Sequence, residues 1–82
     1  MQAIRTRYHG PTNTKGSRIS AKNRARTIYV GYDHVLDLVD NHRAAARQLK
    51  RVMQWGGAMV GGNFDGDWYW VFDDDISTKE LA

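Results

Sequence analysis

The chain has 82 residues, no cysteine and a formal charge of +3. That length allows one domain with one modest core, and the lack of cysteine excludes disulfides, thiolate zinc sites and cysteine nucleophiles. The charge is split: residues 1–26 hold seven cations and no acid, whereas nine acids and five cations follow from Asp33 onward, so an electrically polar molecule is expected.

The opening MQAIRTRYHG alternates and carries charge, unlike the apolar block of a signal peptide. No apolar run approaches the roughly 20 residues that span a bilayer. A soluble, cytoplasmic protein with no membrane partner is expected. Residues 2–8 read as a half-buried strand, with Gln2, Ile4, Thr6 and Tyr8 on one face and Ala3, Arg5 and Arg7 on the other. GPTNTKGSRI follows. A P-loop needs Gly-Lys-Ser/Thr in that order and then a helix, but here the order is Lys15-Gly16-Ser17 and a strand comes next. The stretch is instead expected to be a wide hairpin loop. In it Pro11 fixes φ, Asn13 and the two threonines bond back to the backbone, and Gly16 supplies the unusual dihedral.

Ser17–Ala21 and Thr27–Tyr32 form the next hairpin, joined by the polar KNRAR. Ile28, Val30 and Tyr32 share its core face with Ile19, and Tyr29 points away. Residues 42–54 contain neither Gly nor Pro and place Ala45, Ala46, Leu49, Val52 and Met53 at helical spacing. Asp40 or Asn41 is expected to cap this helix and Gly56-Gly57 to end it. Val35, Leu36, Leu38 and Val39 precede the cap as a helical turn or an apolar loop. Asp65-Gly66 between apolar runs marks a second hairpin, Ala58–Phe64 with Asp67–Phe72. In its return strand Trp68, Trp70 and Phe72 share one face and Tyr69 and Val71 the other. One face meets the helix; the other is covered by the N-terminal segment or left open. Three aspartates stop the strand. The expected architecture is a single α+β domain over residues 1–75, in β-β-β-α-β-β order, with an antiparallel sheet carrying one helix on one face. Residues 76–82 are expected to be a flexible tail.

AIRTRYHGPTNTKGSRISA, together with NHRAAA and Trp55-Gly56, resembles a group of small phage and mobile-element proteins of bacteria. The match is specific in Ala3–Thr6, Tyr8, Gly10–Thr14, Gly16–Ile19 and Asn41–Ala46. The resemblance implies a phage or mobile-element origin and a bacterial host cytoplasm. By analogy with anti-CRISPR and other anti-defence factors, it suggests a stoichiometric inhibitor that docks on a host protein or ribonucleoprotein.

No reaction chemistry is legible. Ser17, Ser20 and Ser77 lack a nucleophile-elbow context. Asp33, His34, Asp37 and His42 match no metal-ligand spacing, and Asp65, Asp67 and the DDD run lack the series of a calcium loop. No enzyme, cofactor or metal is expected. A sharper signal is the helix face opposite the apolar stripe, where Arg43, Arg47, Lys50, Arg51 and Gln54 form a basic ridge with no acid at i±4 inside residues 43–54. Two functions follow. The first is the inhibitor, anchored by Trp68, Tyr69 or Trp70 within a charged rim. The second is a small nucleic-acid-binding protein, in which Tyr8, Tyr29 or Tyr32 stacks on bases. Arg5, Arg7, Lys15, Arg18, Arg43, Arg47, Lys50 and Arg51 are the candidate cationic contacts in either case. The acidic C-terminal part favours the first.

Overall fold

The computed structural model describes residues 2–73. Five strands and one helix follow in the order β1 (Ala3–His9), β2 (Arg18–Lys22), β3 (Thr27–Gly31), α1 (Leu38–Met53), β4 (Met59–Phe64) and β5 (Asp67–Phe72). They form one antiparallel sheet in the order β3-β2-β1-β5-β4, the α+β architecture that the alternation and helical spacing predict. The expected tail lies outside the described residues. No helix among them is long and apolar enough to cross a membrane.

Strand parity decides the core. Ile4 and Thr6 of β1, Ile19 and Ala21 of β2, and Trp70 of β5 project from one face and are buried under Ala45, Ala46 and Leu49 of α1. Ile28, Val30, Tyr32, Met53, Trp55, Met59 and Trp68 close the margins. The N-terminal strand does not lie over β5 but pairs with its edge, with Ile4 opposite Trp70 and Arg5 opposite Tyr69. The Tyr69 and Val71 side of the sheet therefore has no layer above it among the described residues.

The turns differ in part from their sequence reading. In the β1–β2 loop Thr12 alone makes the back-bonds: its N–H donates to the Lys15 carbonyl at 2.7 Å and its hydroxyl oxygen accepts from Lys15 N at 3.0 Å. Gly16 does not adopt a positive φ, because the Thr12 turn already reverses the chain; the positive-φ glycines among the described residues are Gly57 and Gly66. Asp65 (φ 55°) and Gly66 (φ 85°) form the expected two-residue turn, with Phe64 opposite Asp67.

The helix begins a turn earlier than its apolar stripe suggests. Asp37, not Asp40 or Asn41, is the N-cap, and its carboxylate accepts from Asp40 N at 2.8 Å. Asn41 is occupied elsewhere. Its Nδ2 donates to the carbonyls of Asp33 and Asp37, each at 2.9 Å, and its Oδ1 accepts from Asp33 N at 2.8 Å, tying the β3–α1 loop to the helix. The helix also ends earlier: Gln54 (φ 60°), rather than Gly56, takes the left-handed position, and Trp55 N donates to the Lys50 carbonyl at 2.9 Å. That early reversal brings Trp55 against Phe72, with ring centroids 5.8 Å apart.

Candidate functional site

Three of the sequence candidates are engaged within the fold. Trp70 is 5% exposed, and its indole N–H donates to Thr6 Oγ1 at 3.0 Å. Trp68 stacks on it at 5.7 Å and packs at the core margin. At that exposure Trp70 offers little surface to a partner. Arg7 is held by Asp67: its Nε lies 3.1 Å from both carboxylate oxygens and its Nη2 lies 2.8 Å from Oδ2. That hydrogen bond, and then the charge of Arg7, pulls the Asp67 pKa below the usual carboxylate range. Asp67 therefore stays ionised, with its charge balanced by Arg7.

The residues of the metal alternative are likewise engaged elsewhere or dispersed. Asp37 caps the helix, and Asp33 accepts from Val35 N at 2.9 Å. His34 packs against Tyr32. His42 is fully buried, with its Nδ1 2.7 Å from Thr6 Oγ1.

On the ridge, Arg43 is ion-paired with Asp40, three residues before it and outside the 43–54 window. Lys50 donates to the Gly57 carbonyl, and Arg51 donates to Gln48 Oε1 at 3.2 Å. Arg43 is therefore not an unpaired cation. Arg47 makes no ion pair among the described residues. It separates two shallow clefts, one shared with Arg43, Lys50 and Trp70 and the other with Gln48, Arg51 and Tyr29.

The open face of the sheet gathers a different set. On β1 and β2 the parity opposite the core holds Arg5, Arg7, His9, Arg18, Ser20 and Lys22. Register then sets Arg5 directly between Lys22 on one side and Tyr69 on the other, and Arg18 beside His9. Directly opposed cations repel across a ladder. The only described acid within the strands of this face is Asp67, already taken by Arg7.

Aromatic rings flank the cations. Tyr29 of β3 is 61% exposed, Tyr69 of β5 is 41% exposed and Phe64 of β4 is 72% exposed. The Arg18 guanidinium lies over the Tyr29 ring at 5.5 Å, and the His9 ring is 5.8 Å from the same ring. Arg18 Nη1 is buried and has no hydrogen-bond partner among the described residues. Burial, then the charges of Arg18 and Arg7, lowers the His9 pKa, which keeps this ring neutral near pH 7. A shallow cleft of about 550 Å³ opens at the β3 edge, lined by Lys15, Ser17, Arg18 and Tyr29.

Arg5, Lys15, Arg18 and Tyr69 are thus brought to one side, whereas Arg43, Arg47, Lys50 and Arg51 lie on α1 across the sheet from them. Lys22, His9 and Phe64 were missed as contacts. For Lys22 and His9 the signal was strand parity: Arg5-x-Arg7-x-His9 and Arg18-x-Ser20-x-Lys22 each put a polar, largely basic row on the non-core face.

Comparison of the chain with protein-family models, with curated proteins and with solved structures finds no match. The segments that carry the phage-protein resemblance fall on β1, the Thr12 loop, β2, the Asn41–Ala46 turn of α1 and the Trp55-Gly56 exit from that helix. There Thr6, Thr12, Asn41 and His42 bond within the scaffold.

Proposed function

We propose that the protein binds single-stranded nucleic acid on the open face of its sheet. The observation that carries this reading is the cross-strand Arg5–Lys22 pair beside Tyr69, with Arg18 on Tyr29 completing a cationic strip between two exposed tyrosines. Single strands are held by a backbone-tracking positive groove and by aromatic rings on which bases stack, and every base has a face to offer. The open face presents both at once. Arg5, Arg18 and Lys22 supply phosphate contacts, Tyr29 and Tyr69 supply stacking platforms, and the Lys15 cleft extends the strip beyond the β3 edge. The acids of the last hairpin do not oppose this, because the Asp67 charge is paired with Arg7 and Asp65 sits in the turn. No catalytic step is proposed.

The test is fluorescence anisotropy with a labelled single-stranded DNA or RNA. Binding is expected to weaken for Tyr29→Ala and Tyr69→Ala by about 1 to 3 kcal/mol for each stacked base. No binding at low salt would sink the reading.

A second reading has its own support. Val60, Phe64, Tyr69 and Val71 form an uncharged patch on the β4–β5 side of the same face, and exposed aromatics of this sort anchor protein partners. With the phage-protein resemblance, it favours an anti-CRISPR-like inhibitor that docks on a host defence protein or ribonucleoprotein. Capture of a host complex that survives nuclease, and is lost with Phe64→Ala, would select this reading over the first.

A further inference from the structure

The two edges of the sheet are protected unequally. Beside the β3 edge Arg47, Gln48 and Arg51 of α1 line a groove with Tyr29–Gly31, and Arg24 and Arg26 occupy the adjoining loop. Charge of that kind keeps an edge from pairing. Among the described residues the β4 edge has no such guard. Its sequence, MVGGNF, contains no charge and no proline, five of its six residues are exposed, and α1 packs instead on β1, β2 and β3.

We infer that β4 pairs with β4 of a second copy, antiparallel about a two-fold axis through Gly61, to make one continuous ten-stranded sheet. The inference is independent of what the open face binds. The Asp73 N–H donates to the Ala58 carbonyl, and ladder alternation from that pair turns Ala58, Val60, Gly62 and Phe64 inward to β5. The N–H and C=O groups of Met59, Gly61 and Asn63 therefore point outward from the edge.

A two-fold at Gly61 sets Gly61 against itself and Met59 against Asn63 of the partner copy, so all three outward residues gain backbone bonds in both directions. Side chains match as well. On the open face Val60 meets a glycine, Gly62, and Phe64 meets Ala58, so each large group faces a small one. The same register brings the Asp65 turn of each copy opposite Gly57, whose carbonyl holds Lys50, and an acid thereby meets a cation on both sides of the axis. Sliding the register by two residues would put Met59 against the turn and Val60 against Phe64. Such an isologous contact closes as a dimer and leaves only the guarded β3 edges free.

Sedimentation velocity across a wide concentration range, with amide exchange, tests this on the full chain. The parent is expected to reach twice the chain mass, with the Gly61 and Asn63 amides protected as the dimer forms. Asn63→Pro removes only an outward N–H, and Val60→Lys places a cation on the edge; both are expected to sediment as single chains with native circular dichroism. Asp65→Asn keeps a good turn pair and is expected to shift the dimer midpoint several-fold to higher concentration. If Asn63→Pro fails to fold, Val60→Lys decides. A parent that stays at the mass of one chain at every concentration overturns the inference, as does a dimer that Val60→Lys leaves intact.

Discussion

Thr6 links three elements through one hydroxyl. It accepts from the Trp70 indole on β5 and meets His42 Nδ1 on α1. An indole N–H can only donate, so Thr6 Oγ1 accepts from Trp70 and also bonds His42 Nδ1. His42 Nε2 is buried with no hydrogen-bond partner among the described residues. Thr6→Val would strand the indole donor and His42 Nδ1 together, and is expected to cost about 1 to 3 kcal/mol in urea melts. Burial lowers the His42 pKa, while the charge of Asp67 and then the Thr6 backbone act in the opposite direction. The unfolded chain takes up the proton near pH 6.5 and the folded chain only at lower pH. The stability due to neutral His42 is therefore complete above the unfolded pKa and is lost as pH falls through the folded one. Between about pH 7 and pH 5 the melting temperature should drop, and His42→Gln should flatten much of that fall, leaving a smaller part to His9. An unchanged pH profile in His42→Gln would contradict the assignment. Asp67 acts in a more acid window, since its depressed pKa loses the Arg7 bond only below the ordinary carboxylate range. Gly61 is fixed by packing. A Cβ there would lie 2.5 Å from the Trp70 ring, so Gly61→Ala is expected to cost about 1 to 3 kcal/mol through overpacking.

At the scale of elements, the helix and the second hairpin carry the clearest consequences. Leu49 is fully buried between α1 and the sheet, so Leu49→Ala should cost about 2 to 5 kcal/mol, whereas exposed Arg47→Ala should leave the melt unchanged. Equal small effects would contradict the amphipathic packing. Gly66 sits at φ 85°, and Gly66→Val should lower the melting temperature because a β-branched residue resists that region. These elements were legible because local signals and burial agree: alternation in Ile4–Thr6, helical spacing in Ala45–Leu49, and Asp-Gly in the turn. The caps were less legible. Four short polar residues, Asp33, Asp37, Asp40 and Asn41, compete at the start of α1, and only the path of the β3–α1 loop decides that Asp37 caps while Asn41 staples. At the other end, the docking of Trp55 on Phe72 ends the helix before the glycines that local preference would choose.

At the scale of the whole molecule, the strand order converts a basic front into a basic surface. Inserting β1 between β2 and β5 places Arg5 between Lys22 and Tyr69, residues 17 and 64 positions away in the chain. No local pattern encodes that neighbourhood, so the sequence revealed the cations of the front but not the strip they form. It also overvalued the tryptophans, because large apolar groups alternate with Tyr69 on β5 and only register shows which face the helix covers. The helix ridge stands apart, with Arg43 engaged by Asp40. The direct measurement is the salt dependence of single-strand binding, comparing the parent with an Arg5, Arg18 and Lys22 triple alanine variant and with an Arg43, Arg47 and Arg51 triple alanine variant. Each phosphate contact contributes about −0.7 to the log–log slope on a single strand, so losing the three sheet cations should flatten the slope by roughly two. The helix variant should keep the parent slope. A parent that does not bind, or a slope that flattens only when the helix cations are removed, would contradict an open-face site.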